Sequence, residues 1–99
     1  MSQRDPLVAL RHMLDHAREA AGLVQGRTRA DLDGDRLLQL GLSRLVEIIG
    51  EAASRVPAEV QERHPELPWR EAIGARNVAT DVPVLIPQVE QVLETESSR

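Results

Sequence analysis

Residues 35–56 read DRLLQLGLSRLVEIIGEAASRV, and within them Leu38, Leu42, Leu45, Ile49, Ala52 and Val56 recur at alternating intervals of four and three. That spacing sets all six on one stripe of an α-helix, with Arg36, Arg44, Glu47, Glu51 and Arg55 off the stripe. The pattern predicts a helix over about residues 35–56, ended by Pro57, which cannot continue it. Gly41 and Gly50 each cost about 1 kcal/mol relative to Ala inside a helix. Close approach of a neighbouring helix would account for both.

Upstream, Leu7, Leu10, Leu14, Ala17, Ala21 and Val24 repeat the same spacing and predict a first helix. Asp5 followed by Pro6 fits its N-cap and first position, and Gly22 or Gly26 fits its exit. The intervening GRTRADLDGD, residues 26–35, has no periodic apolar face and reads as a loop with one turn at its end. Downstream of Pro57 a helical turn is expected over 58–63, then a Pro-bounded connector. A short helix over 68–76 should turn Trp69, Ala72 and Ile73 inward. Val82, Leu85, Ile86, Val89, Val92 and Leu93 predict a last helix capped by Thr80 or Asp81, with Pro83 in its first turn. Pro87 either kinks that helix or marks its true beginning. The whole reads as an all-α antiparallel bundle of three main helices with short helical connectors, one domain over residues 1–99.

Ninety-nine residues, 41% hydrophobic and 28% charged, suit one soluble globular domain. The absence of Cys excludes a disulfide framework, a zinc knuckle and a thiol nucleophile. A net charge of −4 removes the bulk attraction on which nonspecific nucleic-acid binders rely. Every base is Arg, whose planar fork suits carboxylates and phosphates. Trp69 is the sole aromatic residue, so base stacking on aromatic platforms is nearly excluded. Residues 1–20 are interrupted by Arg4, Asp5, Arg11 and Asp15, and form neither a signal peptide nor a membrane span; a cytoplasmic location is expected.

Local motifs for chemistry are few. His12, Asp15 and His16 form H-x-x-D-H, which puts two imidazoles one helical turn apart, but no third ligand is identifiable and a solvated helix face is the expectation. Glu47 and Glu51 are also one turn apart, within reach of ordinary ion pairs to Arg44 and Arg55. His64 lies in the connector with no partner evident beside it. Neither GxGxxG nor GxxxxGK[ST] occurs, so nothing supports nucleotide hydrolysis, and no cofactor or metal is expected.

The run from Leu45 to Ala53, then HPELPW at residues 64–69 and Ala72-Ile73-Gly74-Ala75-Arg76-Asn77, resembles the HepT-like family of the HEPN superfamily, with its pattern EIIGEAA, YPEIPW and IxGxRN. Thr80-Asp81-Val82-Pro83 is similar to part of the family's last helix. The resemblance covers most of the chain. It implies a small helical protein that is the toxin half of a toxin–antitoxin pair: a homodimeric, metal-independent RNA endonuclease partnered by a minimal nucleotidyltransferase antitoxin. It also implies that Arg76 and Asn77 open the catalytic motif, in which Arg holds the scissile phosphate and a following His moves the proton. A Tyr beyond that His is the residue the antitoxin modifies by transferring AMP. Here no His follows His64 and Tyr is absent altogether. A segment of several helical turns after Asn77 has no counterpart, and the alternative to an RNA-cleaving toxin is a noncatalytic homodimeric module that binds the nucleotidyltransferase. If the chain runs on directly, Arg76 should end one short helix, with a turn at residues 79–81 into the last.

Overall fold

The computed structural model describes residues 5–74 and 78–99. Six helices lie within them: α1 (Pro6–Val24), α2 (Arg29–Asp33), α3 (Arg36–Arg55), α4 (Ala58–Arg63), α5 (Trp69–Ile73) and α6 (Val78–Ser97). No strand occurs among the described residues, in keeping with the all-α expectation. The three long helices form the bundle and the short ones connect them.

Local chemistry sets the helix ends. The Asp5 carboxylate accepts from the Leu7 N–H at 2.9 Å and Pro6 fills the first turn, so α1 starts where the sequence places it. Its exit is the second candidate glycine: Gly26 has φ 77°, a left-handed conformation that glycine adopts without steric cost. The stretch 26–35 is less loop-like than expected. Thr28 and Asp31 make a capping box, in which the Thr28 hydroxyl accepts from the Asp31 N–H at 3.1 Å and the Asp31 carboxylate from the Thr28 N–H at 2.9 Å. The backbone bond from Thr28, seconded by the hydroxyl, holds the Asp31 carboxyl below its ordinary value. α2 is thus made by its cap and not by an apolar face, which is why periodicity misses it.

α3 matches its sequence reading almost to the residue, with Asp35 accepting from the Leu38 N–H at 3.0 Å. α1 packs extensively on both α3 and α6, whereas α3 and α6 touch each other only slightly. This explains a wider apolar arc on α1 than one stripe provides: Ala9, Met13 and Ala20 are buried beside Leu10, Leu14 and Ala17. The core continues through Ile49, Ala52, Ala53, Val56, Val60 and Leu67 to Val82, Leu85, Val89 and Val92 of α6.

Three expectations need correction. The last helix begins at Val78, so Thr80 and Asp81 lie inside it and there is no turn at residues 79–81. Pro83 and Pro87 are then both interior, and both are exposed, on the side where water can reach backbone groups left without a donor. Ile73 is 45% exposed, because the single helical turn of α5 buries Ala72 instead. Gly41 and Gly50 prove unlike each other: a Cβ on Gly41 would meet nothing within 4 Å, whereas one on Gly50 would stand 2.7 Å from the Ile73 carbonyl oxygen. α5 therefore rests its backbone directly on α3 at Gly50.

That contrast sets an expected result for a pair of variants. Gly50→Ala should destabilise the fold by about 1–3 kcal/mol, the usual cost of overpacking against unyielding backbone. Gly41→Ala should be neutral, or stabilise by up to about 1 kcal/mol through helix propensity. Urea unfolding followed by circular dichroism measures both, and equal effects at the two positions would contradict the close approach at Gly50.

Candidate functional site

Among the described residues, a groove of about 320 Å³ lies between α3 and α5, lined by Val46, Glu47, Gly50, Glu51, Ser54, Ile73 and Gly74. The Gly50 contact creates it, since α5 lies against α3 there and the α3 turns on either side form its walls. Glu47 is paired with Arg44 at 3.1 Å, as its spacing suggests. The expected partnership of Glu51 with Arg55 is not among the ion pairs of the described residues. Ser54 spends its hydroxyl on the Glu51 carbonyl at 2.7 Å. The groove thus presents two carboxylates and ends at Gly74, two residues before Arg76. Arg76 and Asn77, the predicted catalytic pair, lie outside the described residues.

A second constellation escapes local sequence reading. His64 is buried, its side chain only 8% exposed, and its Nε2 lies 2.7 Å from Glu96, whose own side chain is 4% exposed. Its Nδ1 lies 3.2 Å from Glu66. Arg63 grips the same Glu96 through two bonds, Nε at 3.2 Å and Nη2 at 2.8 Å. The Trp69 indole N–H donates to the His64 carbonyl at 2.9 Å, and the Gln88 amide donates to the Glu66 carbonyl at 3.2 Å. The end of α4 and the connector that follows it are therefore fastened to the last turn of α6 by a network in which His64 and Glu96 are buried while Arg63 and Glu66 reach solvent. Its far member could have been found: Glu96 continues the three-and-four spacing of Val82, Leu85, Val89 and Val92, so a carboxylate stands at a core position. Such a carboxylate requires buried partners.

His12 and His16 behave differently. They sit on α1 and share no hydrogen bond with this network among the described residues, His12 exposed and His16 half-buried, with ring centroids 6.0 Å apart. No group of three or more metal-ligating side chains occurs among the described residues. No helix there is long and apolar enough to cross a membrane.

An all-α bundle is the architecture that the HepT-like resemblance implies, and its EIIGEAA stretch supplies the α3 side of the groove. The family described as Ribonuclease HepT-like matches residues 13–81, and the chain belongs to it. Among relatives, a protein of Caldanaerobacter subterraneus subsp. tengcongensis provisionally named an RNase is 28% identical, with 94% of this chain and 98% of that protein covered. That alignment runs over 110 positions, more than the 99 residues here, so the relative carries residues with no counterpart in this chain. The probable ribonuclease HepT of Thermococcus cleftensis is 37% identical over 68 residues, covering 65% of this chain and 62% of its own length. A similarly named RNase of Methanocaldococcus jannaschii is 28% identical over 78 residues, 79% of this chain and 72% of that protein. No solved structure matches the chain.

The charge network predicts a specific acid response. The hydrogen bonds from Arg63 lower the Glu96 carboxyl from its ordinary 4.5 to about 2, helped by His64 and opposed by burial. Because the folded-state value is depressed, the stabilisation is complete above about pH 4.5 and is lost as pH falls toward 2. Glu96→Gln should lower stability at neutral pH, since it leaves Arg63 and His64 facing an uncharged amide. It should also flatten the stability profile between pH 4.5 and 2 relative to the parent chain, a difference read by denaturant unfolding at each pH.

Proposed function

We propose that this chain is the HepT-like half of a toxin–antitoxin pair, which keeps the partner-binding and phosphate-holding surfaces but does not cleave RNA by itself. The observation carrying this reading is the fate of the histidines. A metal-independent ribonuclease must move a proton at the ribose 2′-oxygen or the leaving oxygen, and imidazole beside an Arg-held phosphate is the usual carrier. His12 and His16 are on α1, no His follows Arg76, and His64 is buried with carboxylates facing both ring nitrogens. The one imidazole next to α5 is therefore occupied structurally. The alignment with residues to spare in the Caldanaerobacter relative supports a shortened chain here, in which the segment carrying the motif His and Tyr is the natural candidate for the loss.

In this reading Arg76 contacts phosphate and Asn77 orients it. The groove itself carries Glu47 and Glu51, which disfavour a phosphate between them, so nucleic-acid contact falls to the Arg76 end. The partners are a second copy of the chain and a minimal nucleotidyltransferase, in the cytoplasm. Without Tyr there is no acceptor of the kind that the family's antitoxin modifies, so the partnership rests on binding alone.

Incubation of the purified chain with a structured RNA should leave the RNA intact under conditions in which a longer relative cuts it. Cleavage abolished by Arg76→Ala would overturn the noncatalytic reading and restore an active ribonuclease. If the protein binds the RNA, Arg76→Ala should weaken binding about tenfold, the worth of one charged phosphate contact, while circular dichroism stays unchanged. Light scattering at high micromolar concentration should report a dimer, and a monodisperse monomer would refute the homodimer. Co-purification with a tagged minimal nucleotidyltransferase encoded beside it tests the partnership.

A further inference from the structure

The exposed side of α1 holds a second feature, independent of the reading of function above. We propose that His12 and His16 form an exchangeable two-imidazole site for a borderline divalent cation: copper, nickel or zinc. The His16 Nδ1 lies 2.7 Å from the His12 backbone carbonyl. A carbonyl oxygen can only accept, so this nitrogen carries the proton, and in the neutral ring Nε2 is left with its lone pair free. The bond does for His16 what an outer-shell hydrogen bond does for many metal-bound histidines: it fixes tautomer and ring orientation before the ion arrives.

His12 supplies the second nitrogen. It lies one turn earlier on the same rigid helix and is exposed, with its ring edge-on to that of His16 at 81° and a centroid separation of 6.0 Å. An ion at about 2.1 Å from each nitrogen draws the two rings somewhat closer than this. Rotation of the His12 side chain provides the approach, and its exposure means that the movement disturbs no packing. Because α1 packs on both other long helices, the backbone that spaces the two rings is held on two sides. Asp15 adds local negative charge, but no third ligand completes a cage among the described residues, so water fills the remaining positions. Imidazole nitrogen as the only protein donor favours copper over nickel and zinc, and excludes magnesium, which prefers oxygen.

The test is thermal unfolding of the full chain with added Cu²⁺, Ni²⁺, Zn²⁺ or Mg²⁺, joined to calorimetric titration. The first three should raise the melting temperature, since the unfolded chain does not hold the imidazoles one turn apart; Mg²⁺ should leave it unchanged, and EDTA should reverse the rise. His12→Gln and His16→Gln should each weaken Ni²⁺ and Zn²⁺ binding at least tenfold, with little change in metal-free stability, while Asp15→Asn keeps binding within threefold. Absence of any shift at millimolar metal would overturn the site. An equal shift in the parent and both histidine variants would do so too, by assigning the binding elsewhere.

Discussion

The packing of α1 between α3 and α6 is the constraint from which the rest follows. Two long helices that scarcely meet can share a core only through a third, and α1 meets this demand with an arc that mixes alanines with Leu10, Met13 and Leu14. The alanines allow close approach of the helices and the larger side chains fill the spaces between them. One charged link, Arg18 with Glu90, crosses from α1 to α6 on the outside, where its exposure makes it a minor contributor. The molecule is correspondingly elongated, 44 × 26 × 20 Å, with the short helices gathered at the connections.

Helical periodicity revealed the long helices because each buries a continuous stripe, and periodicity records burial. It revealed only part of α1, since Ala9, Met13 and Ala20 serve a second neighbour that one stripe does not announce. It missed α2, which exists through a Thr28–Asp31 capping box. It misjudged the start of α6, because Pro83 and Pro87 are statistically helix-initiating and here lie within a helix held by its packing. Of the candidate site, the family resemblance supplied Arg76 and Asn77, and nothing in composition or spacing would have done so. The Gly50 junction was half legible: the cost of glycine in a helix signalled close approach, but the same signal at Gly41 had no such cause.

The bond between His64 and Glu96 was invisible to local reading for a different reason. Its partners are 32 residues apart, and the connector around His64 has no period to read. A polar residue that continues an apolar stripe is nonetheless a statement about burial, and Glu96 makes it. The same network bears on function, because it takes from solution the one imidazole near α5 and leaves two carboxylates and a serine as the polar side chains of the groove.

Fastening the connector to α6 at Glu96, while α5 rests on α3 at Gly50, pins the chain on both sides of residues 75–77. The connection from α5 to α6 is thus a bridge between two abutments that do not depend on its length. The entropy of closing such a bridge changes slowly with the number of residues in it, by about 0.6 kcal/mol for each doubling. By that measure a change in the number of residues between α5 and α6 costs little beside the packing that α1 provides to α3 and α6.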